Sequence, residues 1–130
     1  MTLISDIAAK LVAVGYGTAI GTDIFPFLFP PSPLKCICIF PLGGRIPDEV
    51  QGDTGIDYPG FQIQVRDIDL EQAASDAEAI RLALNDTTAG NYTMFTTRSQ
   101  AIDVTSPDDL QATNGPLWRF SVDFETILVR

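Results

Sequence analysis

No histidine occurs anywhere in the chain, which removes the commonest general base near neutral pH. Neither a Ser/His/Asp nor a Cys/His arrangement can be assembled from what remains. Gly43-Gly44-Arg45 lacks the spacing and the lysine of a phosphate-cradling loop. Asp67, Asp69 and Glu71 alternate and could be drawn as a cation site. That stretch lacks the central glycine and the terminal glutamate of a calcium loop, and Asp69 is placed to cap a helix. Asp108-Asp109 after Pro107 reads as a turn or a helix start. Asn91-Tyr92-Thr93 matches a glycosylation sequon, but nothing else in the sequence points to secretion. The residues thus offer no catalytic group, no metal site and no cofactor-binding set.

Three other groups invite a functional reading. Cys36 and Cys38 flank Ile37, so on a strand both sulfurs point to one face, too parallel for a comfortable disulfide. They read as reduced core thiols. Phe25, Phe27 and Phe29 are also spaced two apart. They form either an exposed strip on which a partner docks or the inward face of an edge strand. From Pro41 to Pro59 the chain carries Gly43, Gly44, Gly52 and Gly55 with Asp48, Glu49, Asp53 and Asp57, and no apolar period runs through it. This predicts a long exposed loop, of the kind that is usually functional or disordered in a compact domain. Arg45, Asp48, Glu49, Asp53, Asp57 and Tyr58 are its candidate assembly or channel residues; the alternative is a solvated outer flap.

The elements that position these groups follow from periodicity. Leu3, Ile4, Ile7, Ala8, Leu11 and Val12 fall on one helical stripe that Thr2 can cap and Gly15 can end. A short edge strand around Phe25 is limited by its prolines. Leu34 to Phe40 is apolar on both faces, as expected of an inner strand covered on two sides. Phe61, Ile63 and Val65 alternate with Gln62, Gln64 and Arg66, a half-buried strand. Asp69 with Gln72 predicts a capping box, and Leu70, Ala73, Ala74, Ala77, Ile80 and Leu84 an inner helical stripe. Tyr92–Thr97 and Gln100–Thr105 are extended, as one bulged strand or a short hairpin. Trp118 to Thr126 alternates into a long strand with one dry and one wet face. The expected fold is α/β in the α+β sense: one domain over 1–130, with a mostly antiparallel sheet of about four or five strands and two helices packed on one face.

Composition sets limits on partners. With 130 residues the chain fits one domain that can bury a core. A net charge of −9 repels nucleic acid, though it suits a surface past which DNA slides without sticking. The apolar stretch Phe25 to Phe40 is too short and too rich in proline for a membrane helix. No signal peptide is apparent, so cytosolic synthesis is the expectation.

Several local patterns now line up. They are the N-terminal helix ending in Gly15-Tyr16-Gly17 and running on to Asp23-Ile24-Phe25, then Cys36-Ile37-Cys38-Ile39-Phe40-Pro41-Leu42-Gly43-Gly44. Asp57-Tyr58-Pro59-Gly60-Phe61 with Gln62 to Arg66 follows, then the Ala-rich helix from Glu71 to Ile80 and the closing run from Trp118 to Glu125. In this order and spacing the chain resembles the minor capsid and tail-terminator (head–tail joining) proteins of tailed bacteriophages. The resemblance implies a structural virion protein, not an enzyme, that forms a ring, usually a hexamer, at the head-proximal end of the tail tube. Its implied partners are copies of itself, the tail-tube protein and a head-completion or connector protein, with DNA passing through unbound, no membrane and no cofactor. Its implied place is the tail or neck of the virion, assembled in the host cytoplasm. The Phe/Pro-rich segment from Ile24 to Pro33 is longer and more apolar than that pattern. Two alternatives stay open from the residues: another neck or head-completion component, or a non-viral adaptor or small-ligand-binding domain.

Overall fold

The structure, a computed structural model, describes residues 3–27, 29, 34–45, 56–85, 87, 88, 92–97, 100–105 and 116–129. In chain order its elements are α1 (Leu3–Ala13), β1 (Ile24–Pro26), β2 (Cys36–Arg45), β3 (Ile56–Asp67), α2 (Leu70–Leu84), β4 (Tyr92–Thr97), β5 (Ile102–Asp103) and β6 (Trp118–Val129). The fold is α+β, with one mixed, mostly antiparallel sheet in the order β1-β2-β3-β6-β4; β5 also pairs with β6. β1 pairs with β2 in parallel, and the other strand pairings among the described residues are antiparallel.

Helix α1 ends as its glycine predicts. Gly15 takes a φ of +94°, which L side chains rarely adopt. Tyr16 N–H then donates to Leu11 O at 2.8 Å and Gly15 N–H to Val12 O at 3.1 Å, the paired bonds of a Schellman motif. The stripe buries Ile7, Ala8 and Leu11 and leaves Val12 exposed. Helix α2 starts at Asp69, whose Oδ1 accepts from Glu71 N–H at 3.0 Å and Gln72 N–H at 3.5 Å. The expected reciprocal half of the capping box is absent, because Gln72 Nε2 donates to Asp76 Oδ1 at 2.8 Å and Asp67 Oδ1 takes the Asp69 N–H. Ala73, Ala77, Ile80 and Leu84 are buried as expected. Leu70, at the first helical position beside the turn out of β3, stays exposed.

One buried cluster draws Ile7, Ala8 and Leu11 from α1 and Ala77, Ile80 and Leu84 from α2. It adds Ile37, Ile39, Phe61, Ile63, Val65, Val122 and Phe124 from the three inner strands. At its centre Phe61 stacks on Phe124 at 4.9 Å between centroids and meets the edge of Phe95 at 5.2 Å, both favourable ring geometries. Full burial of each such side chain contributes roughly 1.5–3 kcal/mol.

Two expectations change, and between one bulged strand and a hairpin the structure decides. The stretch from Pro41 to Pro59 is not loop throughout: β2 continues to Arg45 and β3 begins at Ile56. Leu42 pairs with Gly60 and Arg45 with Tyr58 across a register shift, while Ile56 pairs with Val129 and Asp57 with Leu128 on the other side. Backbone ladders need no apolar period, so side-chain patterning cannot reveal them. Strands β4 and β5 follow one another along the same side of β6, from Tyr92↔Leu128 to Asp103↔Phe120. They form one interrupted lane, not a hairpin. Secondly, the polar face of β3 and β6 is not simply wet: Arg66 and Ser121 are buried there beside Cys36 and Cys38.

Candidate assembly surfaces

The two functional groups foreseen in the sequence separate in space. Arg45, Asp57 and Tyr58 lie on the paired arms of the β2–β3 hairpin. Asp48, Glu49 and Asp53 lie outside the described residues. The hairpin therefore carries its acidic stretch, 46–55, between two inner strands, each laddered on both sides.

The three phenylalanines do not form one strip. Phe25 lies in β1 opposite Cys38 and is half-buried. Phe27 has a φ of +69° and is 60% exposed, although its N–H still donates to Ile39 O at 3.0 Å. This left-handed residue breaks the strand alternation, and Phe29 folds back over the sheet face opposite the core. Its ring lies 6.3 Å from that of Phe40. The guanidinium carbons of Arg66 and Arg119 lie 5.0 Å and 4.6 Å from its centroid, within cation–π range. Neither reading of the phenylalanines holds for all three.

Below Phe29 the polar face is organised in rows. Cys36, Arg66 and Arg119 are register partners, as are Cys38, Gln64 and Ser121, and Phe40, Gln62 and Asp123. Arg66 Nε donates to Leu34 O at 2.9 Å. Gln64 Nε2 donates to Gln62 Oε1 at 2.8 Å, and Gln62 Nε2 to Asp123 Oδ1 at 2.9 Å. Both cysteines are buried, and neither forms a disulfide. Burial raises the Cys36 thiol above its ordinary value, and the positive charges of Arg66 and Arg119 offset part of the rise. A neutral thiol in such a place packs and does not attack.

A cavity of about 320 Å³ opens between Tyr16, Asp23, Lys35, Asp76 and Ile80, at the small end of the ligand-pocket range. Its charged groups hold the protein's own parts. Asp23 Oδ1 accepts from Thr18 N–H at 2.7 Å and Ala19 N–H at 3.3 Å. Lys35 Nζ lies 3.5 Å from Asp76 and 3.7 Å from Asp67. The carboxylates of Asp67 and Asp69 are likewise engaged by backbone N–H groups in the turn into α2. Among the described residues no group of three or more His, Cys, Asp or Glu is placed to hold a metal ion. Also among them, no helix is long and apolar enough to cross a membrane.

Exposed apolar side chains, in contrast, stand at both margins of the sheet. Ile20 and Phe27 flank β1, and Ile102 and Val104 lie on or beside β5. Phe27 is foreseen from its spacing; Ile20, Ile102 and Val104 show no period, because Ile20 lies in a loop and β5 has only two residues.

A small α+β subunit whose polar groups brace its own turns and rows, and whose sheet margins carry apolar side chains, belongs to the class of structural subunits. The family model for bacteriophage tail terminator proteins matches residues 13–130, and the chain belongs to that family. It is therefore a structural tail protein of tailed phages, a component of the virion. All but the last residue of α1 precedes the matched region. A comparison with curated proteins finds no match.

Proposed function

We propose that the chain forms a ring, a hexamer, that closes the head-proximal end of the tail tube and joins tail to head. It works by contact and not by catalysis, needs no cofactor, and is assembled in the host cytoplasm. Its partners are copies of itself, the tail-tube protein and a head-completion or connector protein. The acidic stretch between the β2 and β3 arms faces the channel or an adjacent ring, where like charge keeps DNA sliding. The observation that carries this reading is family membership over residues 13–130. The same membership sets aside a non-viral adaptor or small-ligand-binding domain.

The test is removal. Particles made without this protein are expected to carry tubes of wrong length or tails that do not join heads, as counted in electron micrographs. Normal infectious particles in its absence would end the proposal.

A further inference from the structure

Among the described residues, several outward backbone groups at the margins of the sheet already have partners. On the β1 side Ile24 N–H donates to Ala19 O at 3.4 Å, Ile24 O accepts from Gly21 N–H at 2.9 Å, and Pro26 has no N–H. On the far side Phe95 N–H donates to Thr87 O at 3.1 Å and Thr97 N–H to Asn85 Oδ1 at 3.2 Å. Ala101 N–H reaches Glu78 Oε2 at 3.4 Å, and Thr105 N–H reaches Asp103 Oδ1 at 2.9 Å. Occupied edges of this kind block indiscriminate sheet extension. A neighbour at either margin can therefore be recognised by side chains, and large apolar ones are exposed at both. Phe27 is 60% and Ile20 47% exposed on one margin; Ile102 is 50% and Val104 37% exposed on the other. Phe27 is held out by a left-handed backbone, a conformation a bulky residue keeps only when the surroundings impose it.

The two margins also lie level. One register row runs Ile24, Ile37, Val65, Phe120, Asp103; the next runs Phe25, Cys38, Gln64, Ser121, Ile102. The short edge strands β1 and β5 thus occupy the same two rows at opposite ends of the sheet. We propose that these margins meet between successive copies of this chain, Ile20 and Phe27 of one against Ile102 and Val104 of the next. This rests on the ring reading above and names the surfaces that build the ring. Opposite margins in contact make a heterologous, head-to-tail interface, the kind that closes into rings. Charge favours the same margins. Copies carrying −9 each repel, so contact forms where acids are sparse. In 20–27 the one acid is Asp23, half-buried and turned onto Thr18 N–H and Ala19 N–H. Asp103 is the one acid in 101–105, and it turns back on Thr105 N–H.

The experiment uses tails assembled with the double variant Phe27→Cys/Ile102→Cys. Mild oxidation should give a ladder of linked chains, while either single variant and the natural chain, whose own thiols are buried, stay unlinked. A second set uses charge: Phe27→Lys and Ile102→Glu should each lower incorporation into tails at least tenfold, and the two together should restore it. All variants should melt within a few degrees of the natural chain. Linked dimers from Phe27→Cys alone, or tails that contain the double variant but give no ladder, overturn the pairing and leave the tail function standing. Failure of the natural chain to enter tails removes the ring reading and this inference with it.

Discussion

Arg119 places its guanidinium carbon 4.6 Å from the centre of the Phe29 ring. Its register partner Arg66 shares that ring from 5.0 Å. Two adjacent cations on neighbouring strands repel each other, and the negative face of the ring is what both have in common. The aromatic cover lets a polar row sit inside the protein.

Phe29→Ala is therefore expected to destabilise the fold by about 2–3 kcal/mol, from lost cation–π contact and lost apolar cover. Phe29→Leu should cost less, because it keeps the cover and loses only the ring. Urea titration of both variants decides the matter: an unchanged midpoint for Phe29→Ala contradicts the role of this ring.

The cysteines beneath give a second expectation. Replacing Cys36 and Cys38 together by alanine should cost roughly a few kcal/mol through lost packing. Because burial raises the Cys36 pKa from its ordinary 9.0, the fold favours the neutral thiol. That contribution is complete below pH 9.0 and fades as the pH rises from there towards the folded-state value. Thiol labelling of the native protein at pH 9 should accordingly be far slower than of the urea-unfolded chain. Equal rates would show that the sulfurs are not enclosed.

Gly17 supplies a third. Its φ is +88°, and a Cβ there would lie 2.6 Å from Ile24 Cδ1 and 2.7 Å from Ile24 Cγ1. Gly17→Ala forces a side chain into a left-handed position and into a buried isoleucine at once. A loss of about 1–3 kcal/mol follows. Gly15→Ala has the same backbone strain but open space around it, and should cost less. A thermal melt in which the two substitutions lose equal stability would remove the packing part of this account.

How much of this was legible in the sequence depends on which force sets each feature. The stripe Ile7, Ala8, Leu11 and the alternation Phe61, Ile63, Val65 were readable because burial imposes a period. The extension of β2 to Arg45 and of β3 back to Ile56 was not, since glycine and aspartate can sit on a ladder held by backbone alone. Arg66 reads as a solvated residue at the end of an alternating strand. Alternation says which face is polar, not whether Phe29 returns to cover it. That return follows from the left-handed turn at Phe27, for which a phenylalanine gives no advance sign. On the assembly side, the phenylalanines were visible as candidates, but their division between Phe29 inside and Phe27 outside needed the fold. Ile102 was hidden in a strand too short to show a period.

The acidic stretch between the hairpin arms gives the last prediction. Replace residues 46–55 by a four-residue Gly-Ser-Gly-Ser link, flexible and long enough to run from Arg45 to Ile56, two residues beyond Tyr58, the partner of Arg45, and leave Arg45 and Ile56 in place. The pairings Leu42↔Gly60, Arg45↔Tyr58, Ile56↔Val129 and Asp57↔Leu128 are all outside the deletion, so the shortened protein should fold and melt within a few degrees of the parent. If the stretch is an assembly or channel element, this folded protein will fail to build joined particles. A second variant separates those two roles. Asp48→Asn, Glu49→Gln and Asp53→Asn together remove three negative charges without shortening the chain. A channel element so altered should still give joined particles but slow DNA passage, measured as delayed genome release, with the delay growing as salt is lowered and screening weakens. An assembly element should lose joining with the charges. Joined, normally infectious particles from both variants would reduce the stretch to solvated surface, and its acids to a contribution to solubility.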